Sequence, residues 1–150
     1  MIFEYPSPTT ENRRAEVRLP FPKPQKGWIR FVSAAGRKVD LGPGRIEVLN
    51  LSPGGCGFRS GLCFPASDIF VMKIYWYLED DLEDERLEFT GHIRWRQREE
   101  NGYRYGMRFI LGRGDRQRLH RVLNKAILLM YPGKAKIHNL YRKAANFRLT

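Results

Sequence analysis

Two clusters of side chains in this sequence have the types and spacing to bind an anion. The first is Arg13-Arg14-Ala15-Glu16-Val17-Arg18, followed by Leu19-Pro20. Arginine presents a planar fork of N–H donors that fits phosphate oxygens or the edge of a guanine. It also stacks on aromatic faces. An arginine-rich loop that folds over a nucleotide supplies both contacts. The second cluster is Asn50-Leu51-Ser52-Pro53-Gly54-Gly55. On a strand, Asn50 and Ser52 share one side. Asn carries an acceptor and two donors and Ser one hydroxyl, a set suited to reading a base edge. Gly54 and Gly55 permit a tight turn and close backbone approach. On residue types alone the plainer readings stay open. Exposed arginines are commonly surface charge, and an N-x-S-P-G-G stretch is commonly the turn after a strand.

A search for catalytic chemistry finds nothing comparable. The sequence has no phosphate-binding GxxxxGK(S/T) loop, no GxGxxG and no GxSxG nucleophile elbow, and Gly42-Pro43-Gly44 does not continue to a third glycine. His92, His120 and His138 stand apart, without metal spacing or an obvious carboxylate to orient them. Cys56 and Cys63 are too few for a disulfide framework and match no metal-ligand spacing; they read as small, buried or partly buried thiols. No catalytic residue, metal or cofactor is expected. The acidic run Glu79-Asp80-Asp81-Leu82-Glu83-Asp84-Glu85 lacks the alternating ligands and glycine of a calcium loop. It is expected to be a solvated hairpin loop.

The elements that must position the two clusters are mostly β. Residues 1–12 are polar and carry Pro6 and Pro8, so an extended start is expected. Pro20, Pro22 and Pro24 should keep the next stretch out of helix and off any central strand. From Gly27 onward the pattern predicts strands over 28–32, 45–51, 56–59, 69–78, 87–97 and 103–110. The acidic run joins the fourth to the fifth, and Asn101-Gly102, a favoured hairpin dipeptide, joins the fifth to the sixth. Six short strands punctuated by Gly and Pro suggest a small antiparallel barrel. The period then changes. Leu119, Val122, Leu123, Ala126, Ile127 and Met130 trace one face of a helix, with Asp115 as N-cap and Pro132-Gly133 as stop. This stripe is expected to cover an open end or face of the barrel. Ile137, Leu140, Tyr141 and Ala144 suggest a second, weaker helix in basic surroundings.

The chain of 150 residues carries 27 Lys plus Arg against 16 Asp plus Glu, a net charge of +11. That length fits one domain, and 42% hydrophobic residues are enough for a packed interior rather than global disorder. The charge is unevenly placed: residues 79–90 hold seven acidic side chains and one basic, residues 91–150 fifteen basic and three acidic. The longest apolar run, Ile69 to Leu78, is broken by Lys73 and falls short of the ~20 residues of a membrane span. No secretory signal is visible at residues 1–8. A cytoplasmic location and an anionic partner are expected.

In this order and spacing, Arg14-Ala15-Glu16-Val17-Arg18 and Asn50-Leu51-Ser52-Pro53-Gly54-Gly55 resemble the RxxxR and (D/N)xSxxG motifs of the PilZ domain family. Gly91-His92-Ile93-Arg94-Trp95 is similar to the family's GxVxW strand, and Tyr105-Gly106-Met107-Arg108-Phe109 to its YGxxF strand. The helix from Asp115 follows where the family places its own. The resemblance implies a mainly β protein, a six-stranded antiparallel PilZ-type β-barrel with a C-terminal helix, to which the residue pattern adds a short helical tail. Together with the composition of the ends, it divides the chain into a flexible segment 1–12, the barrel plus helix 13–131, and a basic extension 132–150.

The resemblance also implies a function: a bacterial receptor for the second messenger cyclic di-GMP, not an enzyme. Arg14 and Arg18 would contact phosphates and stack on or hydrogen-bond guanine, with Arg13 assisting. Asn50 and Ser52 would read a guanine edge or hold the adjacent phosphate. Gly54 would turn the chain, and Gly55 would let the ligand approach the backbone. Trp95 and the Tyr105-Gly106 strand would be barrel structure. Ligand binding would order the arginine loop over the barrel and create a surface read by an unidentified downstream protein. Control of motility, exopolysaccharide output or virulence would follow. Nucleic acid is not the expected partner. Two alternatives stand beside this reading. One is a nucleic-acid-binding barrel, from the basic and aromatic residues interleaved at Ile93-Arg94-Trp95-Arg96 and Tyr103-Arg104-Tyr105. The other is a PilZ-like scaffold that works through protein partners without ligand.

Overall fold

The computed structural model describes residues 18–38 and 42–130. Arg13, Arg14 and His138, the expected second helix, and the boundaries of the two terminal segments lie outside the described residues. Among the described residues, seven strands and one helix follow in chain order: β1 (Leu19–Ala34), β2 (Arg37–Lys38), β3 (Gly44–Ser52), β4 (Gly55–Ser60), β5 (Phe70–Tyr77), β6 (Arg86–Glu99), β7 (Gly102–Phe109) and α1 (Asp115–Met130). All pairings are antiparallel. The order is β2-β1-β3-β4-β7-β6-β5, and β1 also pairs with β5. Six strands thus close into a barrel, which removes their free edges. The short β2 is a hairpin extension of β1, turned at Ala35 and Gly36 with φ of +52° and +81°. An Ala-Gly pair is a weak turn signal, so this hairpin went unread in the sequence.

The six expected strands are present, with one correction. The proline-rich stretch is not outside the sheet; it is the first half of β1. Pro20, Pro22 and Pro24 lie where β1 has β3 as a neighbour on one side only, since pairing with β5 begins at Gly27. The register with β3 slips between Pro20 and Gln25. The missing N–H groups therefore fall at a bulge and on a locally open side, where proline is tolerated. Leu19 and Phe21 point into the core between the outward prolines.

The core is built by alternation. Ile46, Val48, Ile74, Trp76, Leu87, Phe89, Tyr105 and Met107 all face inward. Bulges between Val48 and Asn50 and between Ile93 and Trp95 shift the phase of two strands. Five of the six stripe positions of α1, Leu119 through Ile127, are buried in this core, and Met130 packs half-buried against it. Asp115 is the first helical residue rather than a cap ahead of it. Its carboxylate accepts the Gly112 N–H at 2.6 Å, upstream of the helix. Among the described residues, no helix is long and apolar enough to cross a membrane.

The acidic run corrects a second expectation. It is not merely a solvated loop. Asp81 accepts the backbone N–H groups of Glu83 and Glu85, each at 3.1 Å, which folds the run on itself. Lys125 of α1 reaches in, 3.0 Å from Asp81 and 3.1 Å from Glu85, and also binds Glu83. Arg121, one turn earlier, grips Glu85 with both guanidinium nitrogens. The run is the anchor that ties α1 to the β5–β6 hairpin.

Candidate ligand-binding site

The two anion-binding clusters meet where β1 begins and β3 ends. Leu19 pairs with Leu51 and Pro20 with Asn50. Arg18, immediately ahead of Leu19, therefore enters beside Ser52. The chain then reverses through Pro53 and Gly54 into β4, with Ser52 paired to Gly55. The buried Ser52 hydroxyl donates to the Gly55 carbonyl and accepts the Gly55 N–H, both at 3.2 Å. The Gly54 carbonyl accepts the Phe109 N–H at 2.8 Å, which ties the turn to β7. Gly55 is needed by the barrel itself: a Cβ there would stand 1.9 Å from the Met107 carbonyl oxygen. Ser52, Gly54 and Gly55 thus set the turn and the strand spacing, and Asn50 and Arg18 are the parts of the two motifs that face outward.

Asn50 is half-buried just after the β3 bulge. Its amide lies over Gly57, where an added Cβ would approach Nδ2 to 2.6 Å. Among the described residues, no hydrogen bond engages that amide and no carboxylate pairs with the exposed Arg18. The guanidinium does act on Cys56. Burial pushes that thiol far above its ordinary value, and Arg18 pulls the other way without overcoming it. Cys56 is therefore a neutral, unreactive thiol.

The outer face continues across the sheet in two rows. In the first, Ser52 pairs with Gly55, Gly55 with Arg108, and Arg108 with His92. In the second, Pro20, Asn50, Gly57, Gly106 and Trp95 follow one another. Gly57 and Gly106 make room for their neighbours' side chains, and the Asn50 amide covers Gly57. Gly106 is covered by the Trp95 indole, whose Nε1 would be 2.0 Å from a Cβ on Gly106. Among the described residues no acidic side chain stands in either row, and Arg18 and the exposed Arg108 lie on this face. The sequence reading missed Arg108. Its outward direction could be read from the alternation of β7, but not its position beside Gly55, which depends on the β4–β7 register.

The basic and aromatic residues of β6 and β7 do not form one stacking surface. Tyr105 is buried, donating to the Leu62 carbonyl at 2.6 Å and accepting the Phe64 N–H at 2.8 Å. A cleft of about 890 Å³ opens elsewhere, bounded by Lys26, Trp28, Arg45, Arg59 and the β6–β7 turn; none of the motif residues lines it.

The Asp81, Glu83 and Glu85 carboxylates lie within 4.8 Å of one another, close enough to share a cation. The Lys125 ammonium already holds that position. Burial pushes the Asp81 carboxyl up, but Lys125 and the two loop amides outweigh it and hold it below its ordinary value. Glu85 is brought down to about 2, first by the Arg121 hydrogen bond and further by Lys125. Lys125 is raised in turn, chiefly by Glu83.

A closed six-stranded antiparallel barrel followed by a packed helix, with Arg18 and Arg108 on its outer face at the β1–β3 end, defines the class of protein. A sequence model of the PilZ domain matches residues 12–125, and the chain belongs to the PilZ domain family. Among solved structures it resembles YcgR of Escherichia coli in complex with c-di-GMP. The TM-score is 0.57 at 15% identity, over 83% of this chain and 50% of that one. It also resembles the PilZ domain of the same protein with c-di-GMP, with TM-score 0.52 at 16% identity, over 87% of this chain and 98% of that one. The chain thus spans about half the length of the longer YcgR structure. No curated protein sequence matches.

Proposed function

We propose that the protein is a non-catalytic receptor for cyclic di-GMP that acts in the cytoplasm. The observation that carries this reading is the β1–β3 register. It sets Arg18, the last residue of RxxxR, beside the NxSxxG turn, with the Asn50 amide and Arg108 on the same outer face. Family membership and the ligand named for the YcgR structures support it. The dianionic ligand sits against the outer face beside the Ser52–Gly55 turn, its phosphates toward Arg18 and Arg108 and a guanine edge toward Asn50. Arg13 and Arg14 precede Arg18 on the same segment and close over the ligand from outside. Binding converts a cationic face into a neutralised, reshaped one, and a downstream protein reads that difference. The ligand can shift the arrangement only by its differential affinity for the two forms. Control of motility, exopolysaccharide output or virulence is the output this implies.

Calorimetric titration of the full chain with cyclic di-GMP tests the reading and gives stoichiometry. Arg14→Ala and Arg18→Ala should each weaken binding by about 1.5–3 kcal/mol through a lost charge-assisted contact. No binding by a folded protein, or wild-type binding by both variants, would sink it.

A further inference from the structure

We infer that the barrel carries a second binding surface, for single-stranded nucleic acid, on the outer face of β3-β1-β5-β6. Barrel closure aligns Arg45, Trp28, Tyr75 and Glu88 in one row across four strands. Arg30, Lys73 and Thr90 form the next row, and Tyr77 and Arg86 pair on the other side, where Lys26 lies beside Glu47. Trp28 is 37% exposed and Tyr77 46%, with Tyr75 half-buried between them. Large rings on a solvent-facing sheet, edged by cations, are the platform on which successive unpaired bases stack while the backbone follows the charges. Double-helical bases are hidden from such a platform.

The cations are already arranged for this. The Arg45 guanidinium lies 5.5 Å from the Trp28 ring centroid and that of Arg86 4.1 Å from Tyr75, so each ring is extended by a planar cation that bases also stack on. Glu88 is the one carboxylate in the two central rows; it holds Arg86 at 3.2 Å and Lys73 at 3.7 Å. Lys26, Arg30 and Arg45 have no carboxylate partner among the described residues and are free to meet phosphates. This face is separate from the Arg18–Asn50 site: Trp28 pairs with Arg45, and Arg45 lies roughly 20 Å from Ser52 along β3.

Fluorescence anisotropy of the full chain with a dye-labelled uridine 12-mer, a thymidine 12-mer and a duplex of equal length tests the inference. The single strands should bind more tightly than the duplex. Affinity should fall with salt at a log–log slope of roughly −2, from three phosphate contacts at about 0.7 each. Trp28→Ala should weaken binding about tenfold by removing a stacking ring. Arg30→Ala should flatten the slope by about 0.7. Both variants should remain folded at the assay temperature and keep cyclic di-GMP binding, with Trp28→Ala lowering Tm by the loss of its covered ring area, and Arg18→Ala should keep wild-type oligonucleotide binding. The inference is overturned by no binding at low salt, by duplex binding as tight as single-strand binding, or by a Trp28→Ala variant that binds oligonucleotide like wild type. Loss of oligonucleotide binding in Arg18→Ala would assign it to the ligand site instead. Equal binding of polyglutamate would point to an acidic protein partner and also overturn it.

Discussion

Gly55 is the position where a ligand role and a barrel role predict different outcomes. Its backbone conformation suits any residue, so Gly55→Ala adds only a methyl group. That methyl would stand 1.9 Å from the Met107 carbonyl oxygen, 3.0 Å from its carbon and 3.3 Å from the Arg108 Cα. These are backbone atoms and cannot rotate away. Restoring ordinary contact requires β4 and β7 to part by about 1.5 Å, since carbon contacts settle near 3.5 Å. The bond from Phe109 N–H to the Gly54 carbonyl, 2.8 Å in the native turn, then opens beyond hydrogen-bonding range, as does the ladder at Gly55 and Arg108. Two lost hydrogen bonds at about 1 kcal/mol each and residual overpacking of about 1 kcal/mol give a destabilisation of about 3 kcal/mol. For a domain of this size that is a fall of about 10 °C in Tm. Thermal unfolding followed by circular dichroism measures it, and calorimetry well below Tm measures cyclic di-GMP binding by the same variant. A wild-type Tm would refute the packing argument. A wild-type Tm with binding abolished would show that Gly55 serves the ligand alone.

Other perturbations separate the parts of the molecule. Gly57→Ala places its methyl against the movable end of Asn50, 2.6 Å from Nδ2, so stability should fall by less than about 1 kcal/mol while calorimetry shows weaker cyclic di-GMP binding. Tyr105→Phe removes the hydroxyl that joins Leu62 to Phe64 and should cost about 1–3 kcal/mol in urea unfolding by stranding a buried N–H. Glu85 has its carboxyl lowered from 4.5 to about 2, so its contribution is complete above pH 4.5 and disappears as pH falls through about 2. With solvent screening that contribution is about 1–2 kcal/mol, and stability curves between pH 2 and 6 should lose it in Arg121→Ala.

How much of this was legible in the sequence depends on how local each cause is. The inward residues of β3, β5 and β7 alternate over single strands, and the stripe from Leu119 to Ile127 repeats over a single helix. Both are period signals that need no partner. The two motifs were legible as such, and their described residues Arg18, Asn50, Ser52, Gly54 and Gly55 do come together. The facts that went unread belong to pairings between distant segments. Lys125 and Arg121 meet the acidic run across some forty residues, so a run that looks solvated in sequence becomes an anchor. Trp28 and Tyr75 share a face only because β1 closes on β5. The prolines of β1 are tolerated only because that closure begins at Gly27, beyond them.

The same long-range logic explains why three of the family's motifs sit on neighbouring strands. Gly55 of β4 is needed for close approach to the Met107 carbonyl, and Gly91 of β6 for close approach to the Arg108 carbonyl, 2.1 Å from where its Cβ would lie. Successive carbonyls of a strand point to opposite sides, so β7 is gripped from both edges at consecutive residues. Gly106, two residues earlier, is covered by Trp95 of the GxVxW strand. These glycines bring β4, β7 and β6 together and thereby hold Arg108 outward, beside the turn that Arg18 enters. The GxVxW and YGxxF strands are therefore barrel parts that position a cation, while Arg18 and Asn50 project from the barrel without supporting it. Arg18 can be lost without opening any strand pair, but Gly55 or Gly91 cannot gain a side chain without parting β7 from β4 or β6.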